Sequence, residues 1–438
     1  MAIVSPLRRS PRRTPRPEAS PGSRSRSSVW SWYAALHDAL ARPLTSYYLL
    51  LGASALLLTI GLIMVFSASS VYSFQNYDQN SYAVVVKQLT WVAIGLPCAW
   101  VAGHLPQRWV RRLAWPGYFF SLGLLLLTSL FGVTRNGNTN WLALGPIQIQ
   151  PSEIAKLALV LWAAHVYANK DRRLGNLHQV MMPVLPGMLV ATGLVIFGHD
   201  LGTALVLFAI LLGMLWVVGA PARMFALSFL VISVFAGALA AADPERLTRI
   251  TTFTDPMRDY NSAGWQPAHG LFALSTGGIF GQGIGASQQK WGNLPEAHTD
   301  FIFAVLGEEL GLVGTLLVLA LFLTIAYAGI RVAMQSEDLF VRYATAGIVI
   351  WLMAHVIINI GMVLALLPVI GIPLPLVSYG GSSLVPELVA LGLVIGFARL
   401  EPSAAAALRQ RRQARRSEHG RPAARSAVNA GARPRARS

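Results

Sequence analysis

The sequence predicts an all-α polytopic membrane protein: about ten transmembrane helices, a large extracellular loop between the seventh and eighth, and basic cytoplasmic tails without fixed structure. Three observations predict it. Of 438 residues, 54% are hydrophobic and only 12% charged, and the mean hydropathy is +0.52; a soluble domain is about 25% charged. The apolar runs are about 20 residues long and unbroken, which suits helices rather than the short alternating strands of a membrane barrel. The loop arginines and lysines fall on alternate connections, as the positive-inside rule demands.

In chain order, residues 1–46 form a basic cytoplasmic tail with eight Arg against Glu18 and Asp38. Its first 29 residues are rich in Arg, Pro and Ser and should be disordered. Trp30, Trp32, Tyr33, Leu36 and Leu40 then suggest a short amphipathic segment on the membrane surface. The first apolar run starts near Ser46, too late and too long for the core of a cleaved signal peptide. Spans are read at approximately 47–70, 83–103, 112–133, 152–169, 180–198, 202–219, 223–241, 303–330, 341–366 and 384–400. An even number puts both termini on one side. Arg108, Arg111 and Arg112, Lys170, Arg172 and Arg173, Arg223, and Arg331 and Arg342 all fall on that side, which is then the cytoplasm. Residues 401–438 are a second Arg-rich tail, expected to be disordered; the two tails carry +14 of the net +16. Anionic lipid explains such tails beside membrane spans more simply than nucleic acid does. Cys98 stands alone, which excludes an intramolecular disulfide and a cysteine metal cluster. The sequence has no Walker loop, dinucleotide fingerprint, zinc-type His/Glu helix or nucleophile elbow.

Four connections face outward, at 71–82, 134–151, 242–302 and 367–383. The longest, 242–302, has enough apolar side chains for short helices or re-entrant turns roofing a cavity. It ends in Trp291-Gly292-Asn293-Leu294-Pro295-Glu296-Ala297-His298-Thr299-Asp300, an acidic cluster at the mouth of a long apolar helix. Ionisable residues at a membrane edge are costly and need a reason. Thr299 or Asp300 can cap the helix; alternatively, a partly desolvated Asp300 can take a proton from a sugar hydroxyl, with Glu296 and His298 in support. For Glu308 and Glu309, two turns deeper, internal hydrogen bonding and a direct role both stand.

Other constellations carry paired readings. Glu153 and Lys156, at i and i+3 in the first turn of a helix, suit an ion pair or a positive charge offered to phosphate. Trp141, in an amide-rich loop, suits sugar contact. Arg246, Arg249 and Arg258 in the long loop run against the inside bias and could bind a pyrophosphate, or pair with Asp255 and Asp259. Leu374-Pro375-Leu376-Val377-Ser378-Tyr379-Gly380-Gly381-Ser382-Ser383 reads as irregular backbone that must line a cavity or be buried in protein, its amides offering an anion nest or the whole serving as a purely structural turn. Asp200 suits a helix cap. His355 and Asn359 suit interhelical hydrogen bonds.

Pro151-Ser152-Glu153-Ile154-Ala155-Lys156, Asp200-Leu201-Gly202-Thr203, Gly281-Gln282-Gly283-Ile284-Gly285, Leu294 to Gly307 with Glu308-Glu309-Leu310-Gly311, and Asn359-Ile360-Gly361-Met362 through Ser383 occur in this order across residues 47–400. Together they resemble the SEDS family (shape, elongation, division and sporulation), its division branch more than its elongation branch. The resemblance implies a ten-helix domain over 47–400 that polymerises lipid II into glycan strands outside the bacterial cytoplasmic membrane, at the division septum. It implies Asp300 as general base, with Glu153 and Lys156 lining the same cavity. It also implies a class B penicillin-binding transpeptidase and other division proteins as partners. Trp141, His298, Ser382, Ser383, Lys156 and Arg249 are candidate contacts to substrate and nascent glycan, the last two for the pyrophosphate. No cofactor is required, and a divalent cation is compatible. His269 and Ala365 depart from the family pattern, where Gln and Gly are expected. The rival classes are a lipid flippase or transporter, which needs polar groups through the whole depth of the bundle, and a division scaffold working through the basic tails.

Overall fold

The structure, a computed structural model, describes residues 42–135, 138–145, 147–173, 176–241, 247–248, 253 and 255–419. The surface segment read at 30–45 lies outside these residues but for its last four. The helices are α1 (Thr45–Asn76), α2 (Ala83–His104), α3 (Gln107–Phe131), α4 (Pro151–Lys170), α5 (Leu177–Met181), α6 (Val184–Phe197), α7 (Leu201–Val217), α8 (Ala222–Ala241), α9 (Trp265–Gly277), α10 (Ile302–Gln335), α11 (Leu339–Val363), α12 (Leu384–Ala398) and α13 (Pro402–His419). A helix lies at each of the ten stretches read as spans. Seven are long and apolar enough to cross a bilayer, α7 and α8 are shorter apolar helices, and α4 carries Glu153 and Lys156. The chain is an integral membrane protein.

Helix ends follow local chemistry. Pro151 opens α4 with Glu153 in its first turn, where the positive end of the helix favours it. Asp200 caps α7, its Oδ1 accepting from the Thr203 amide at 2.9 Å. Side-chain packing then assembles the bundle. Trp162 stacks on Tyr118 with ring centres 4.1 Å apart. Trp162, Trp351, Tyr167, Phe322 and Phe340 are fully buried. Helix α12 lies on α2 along a seam where Gly103 meets the Gly392 carbonyl and Gly392 meets the Ala99 backbone. Small residues let membrane helices approach backbone to backbone in this way. Helix α11 packs against α4, α7 and α10 and so runs through the centre of the bundle.

Three features differ from the sequence reading. The connection at 134–151 is not a plain loop. It holds a three-stranded antiparallel sheet, β1 (Val133–Arg135), β2 (Asn138–Leu144) and β3 (Ile147–Ile149), with Val133 opposite Trp141 and Leu142 opposite Ile149. Strands this short carry too few residues for alternation to show. The start of the C-terminal tail, expected to be disordered, is the helix α13; its alanines are strong helix formers and Ala404 is fully buried. Helix α10 is broken at Gly311, whose φ of 67° and ψ of −164° only glycine adopts readily. The glycine-rich turn after α9 fills the break: Gln282 and Gly283 amides donate to the Glu308 and Glu309 carbonyls at 2.9 and 3.0 Å, and the Leu312 amide donates back to the Gly278 carbonyl.

Candidate active site

The acidic stretch lies directly before α10. Pro295 precedes Glu296, which takes a left-handed φ of 56° and turns the chain, its carbonyl accepting from the Thr299 and Phe301 amides at 3.1 Å. The Thr299 hydroxyl closes onto Glu296 Oε2 at 2.7 Å. The cap position of α10 is Phe301, with no side-chain capping bond, so neither Thr299 nor Asp300 caps this helix. The capping role fails because the Glu296 turn places both residues before the cap.

The Asp300 carboxylate has no hydrogen-bond or ion-pair partner among the described residues. Gly371, in the connection between α11 and α12, lies against it: a methyl group there would come within 3.3 Å of Oδ2. Asp300 as a residue is partly exposed, and its carboxylate is enclosed by protein. Burial, and secondarily the negative charge of Glu296, push its pKa up to about 7 from an ordinary 3.8. His298 is buried between Tyr72 and Tyr379, with ring centres 4.6 and 5.8 Å away. Burial lowers its pKa against the opposing pull of Glu296, which favours the neutral ring.

Beneath this stretch, α11 presents Asn359 and, one turn deeper on the same face, His355. The Asn359 amide donates to the Asp300 and Ile372 carbonyls at 2.8 and 2.7 Å. His355 Nε2 lies 3.0 Å from Lys156 Nζ, which pairs with Glu153 Oε1 at 2.8 Å. Both charged groups of that pair are almost fully buried. Of the two readings of Lys156, the geometry contains the ion pair. Asp200, besides capping α7, accepts from Asn140 of β2 at 3.0 Å. The Ser382 hydroxyl accepts from the Gln150 amide at 2.9 Å and is buried, as is Ser383. These bonds join the sheet to α7 and the start of α4 to the glycine-serine turn. Trp141 is half-buried on β2. Arg246 and Arg249 lie outside the described residues; Arg258 is exposed.

Glu308 and Glu309 are engaged internally. Glu308 accepts from the Ser287 hydroxyl at 2.6 Å and the Gln288 amide at 2.8 Å. Glu309 accepts from the Ser67 hydroxyl at 2.6 Å and from Lys290 Nζ at 3.1 Å. His269 bridges Tyr260 and Gln289 at 2.9 and 2.7 Å, so the departure from Gln lies in loop packing. Two participants went unread in the sequence. Lys290 lies in the turn before the acidic stretch, and Glu387 is the one carboxylate within the apolar run of α12; both are ionisable residues in or beside apolar helices, of the kind that mark a function.

The arrangement is an enclosed carboxylate with a raised pKa and no partner among the described residues, directly before a membrane helix. Known proteins resemble the chain over most of its length. A family model for cell cycle proteins, FtsW/RodA/SpoVE, matches residues 47–401. The chain is 40% identical over 398 residues to "Probable peptidoglycan glycosyltransferase FtsW" of Mycobacterium tuberculosis (strain ATCC 25618 / H37Rv), covering 90% of this chain and 74% of the relative. It is 38% identical over 350 residues to "Stage V sporulation protein E" of Bacillus subtilis (strain 168), covering 78% and 94%. Among solved structures, a chain from a peptidoglycan synthase complex that coordinates polymerization and crosslinking superposes with a TM-score of 0.67 at 30% identity, covering 81% of this chain and 97% of that one. The rod shape determining protein RodA of Thermus thermophilus superposes with a TM-score of 0.59 at 29% identity, covering 81% and 97%. The chain belongs to the FtsW/RodA/SpoVE family of cell cycle proteins.

Proposed function

We propose that the chain is a peptidoglycan glycosyltransferase that polymerises lipid II on the outer face of the bacterial cytoplasmic membrane during division, with Asp300 as general base. The observation that carries this is the Asp300 carboxylate, without a partner among the described residues and with its pKa pushed up to about 7. Asp300 removes the proton from the sugar 4-hydroxyl of one lipid-linked unit. That oxygen attacks the anomeric carbon of the growing chain, a C–O bond forms with inversion, and the bond to the lipid pyrophosphate breaks. The departing pyrophosphate carries the electron pair; the proton rests on Asp300. A base with a pKa near the working pH combines availability with proton affinity and is worth about 10²–10⁴-fold in rate.

Around it, His298, Ser382, Ser383 and Trp141 line the approach to substrate and nascent glycan. The buried Glu153–Lys156 pair sets the field beneath, and Arg249 supplies charge to the pyrophosphate. A divalent cation is compatible with the leaving group. Ten crossings of residues 47–400, both termini cytoplasmic, fit this topology, as does a class B penicillin-binding transpeptidase as partner with other division proteins at the septum. The relative from a peptidoglycan synthase complex supports partnership.

One observation speaks for a flippase: Glu153, Lys156, His355 and Glu387 put ionisable groups inside the bundle. Lys156 is closed off by Glu153 and His355, however. The test is polymerisation of lipid II by the purified protein, with and without a co-purified transpeptidase, alongside a flipping assay in liposomes. Polymerisation without flipping is expected; flipping without polymerisation would replace this reading.

A further inference from the structure

The carbonyls of three consecutive residues, His298, Thr299 and Asp300, are each held by a donor from outside the acidic stretch. The Tyr379 amide donates to His298 at 2.9 Å, the Ser378 hydroxyl to Thr299 at 2.6 Å, and the Asn359 amide to Asp300 at 2.8 Å. None of the three carbonyls serves α10, whose first amides turn to Phe301 instead. Each donor is fixed in turn. Asn359 spends its second N–H on the Ile372 carbonyl at 2.7 Å, and Ser378 accepts from the Leu374 amide at 2.8 Å. Both therefore join the acidic stretch to the strap, residues 364–383, that connects α11 to α12. The strap is anchored at its midpoint by Glu387 of α12, whose Oε2 accepts from the Leu376 amide at 3.1 Å. Leu376 has a left-handed φ of 62°, a conformation a leucine holds only when its surroundings impose it. Asn359, Ser378 and Glu387 are all buried.

We propose that Asn359 and Ser378 are positioning residues, which hold the Asp300 backbone against the strap so that its carboxylate meets the attacking hydroxyl, and that Glu387 fixes the strap on which both act. The inference rests on the reading of Asp300 as base. Misplacing a reacting group by about 1 Å costs about 100-fold in rate, so three carbonyl clamps are a matter of catalysis and not only of folding. The titratable groups around Asp300 are Glu296 and His298 on its own stretch, Tyr72 of α1 and Tyr379 of the strap against His298, and His355 of α11 one turn deeper.

The test compares Asn359→Ala, Ser378→Ala, Glu387→Leu and Glu387→Gln with the parent and with Asp300→Asn in lipid II polymerisation over a range of pH. Monodispersity and thermal midpoint show that each variant is folded, and Ser378→Ala, which deletes one oxygen, serves if Asn359→Ala is not. The expected result is a fall in kcat of about 10-fold or more for the alanine variants and Glu387→Leu, with KM within about threefold. The acid limb of the profile moves to lower pH as a loosened Asp300 gains water. Glu387→Gln, which keeps an acceptor for Leu376, retains most of the parent rate. Folded variants with the parent's kcat and acid limb, beside an inactive Asp300→Asn, would overturn the inference alone, as would a lower rate with the acid limb unmoved. An active Asp300→Asn would overturn the reading of the base and the inference with it.

Discussion

Asp300 is held in the site at a cost in stability. A carboxylate whose pKa rises from 3.8 to about 7 on folding binds more protons folded than unfolded between those values. Its destabilising contribution is therefore absent below the lower value, grows through the window and is complete above about pH 7. Asp300→Asn removes the charge at constant volume and should raise stability by about 1–3 kcal/mol above pH 7, with the gain vanishing toward pH 4. Thermal midpoints of parent and variant across that range check it. Ala365 is a second residue under local strain. Its φ is 54°, its amide donates to the Met362 carbonyl at 3.1 Å, and its side chain meets the penalty that glycine avoids. Ala365→Gly should stabilise by about 0.5–1 kcal/mol, read as a higher thermal midpoint. The family pattern marked this residue as a departure; the backbone angle gives the reason. Asp300 itself was legible in the sequence because a carboxylate at a membrane rim is expensive. Its freedom from capping was not, because the Glu296 turn that sets it before Phe301 leaves no mark in composition.

Among the elements, α10 is held at its break by a buried charge pair. Lys290 Nζ reaches Glu309 Oε1 and Ser67 Oγ at 3.1 Å and the Gly285 carbonyl at 2.7 Å, tying the loop after α9 to α1 and α10 together. Removing one member of a buried pair strands the other charge, so Lys290→Met should cost about 3–5 kcal/mol. Lys290→Met with Glu309→Gln should recover most of that loss, because no unpaired charge then remains. Chemical or thermal denaturation of the three proteins in detergent decides it. The closeness of the break also fixes Gly281, where an added Cβ would collide with the Glu309 carbonyl. Helices were the most legible part of the chain, since about 20 apolar residues in a row admit few alternatives. The sheet at 133–149 and the α10 break were not, because they depend on long-range pairing and on one glycine angle.

Across the whole molecule, the membrane core and the basic tail can be separated by cutting at the right place. Glu401 and Ala404 are buried at the start of α13, whereas residues 420–438 lie beyond the described chain. Removing 420–438 should leave polymerisation within about twofold of the parent and weaken recruitment to the septum, whereas removing 401–438 should also lower stability through the lost packing. Activity and fluorescence localisation of the two truncations test the distinction. The apolar runs made the membrane helices legible from sequence. The grouping of Asp300, Asn359, Ser378 and Glu387 was not legible, because it joins residues from 300 to 387 through backbone carbonyls that side-chain patterns do not report.

The most direct measurement is the rate of lipid II polymerisation by the purified protein with its transpeptidase, parent against Asp300→Asn, from about pH 5.5 to about 8.5. The parent rate should climb through about pH 7, as Asp300 loses its proton, and then level. Asp300→Asn, folded and membrane-inserted, should be slower by about 100-fold or more at every pH. A folded Asp300→Asn that polymerises at the parent's rate with the parent's pH profile would contradict the assignment.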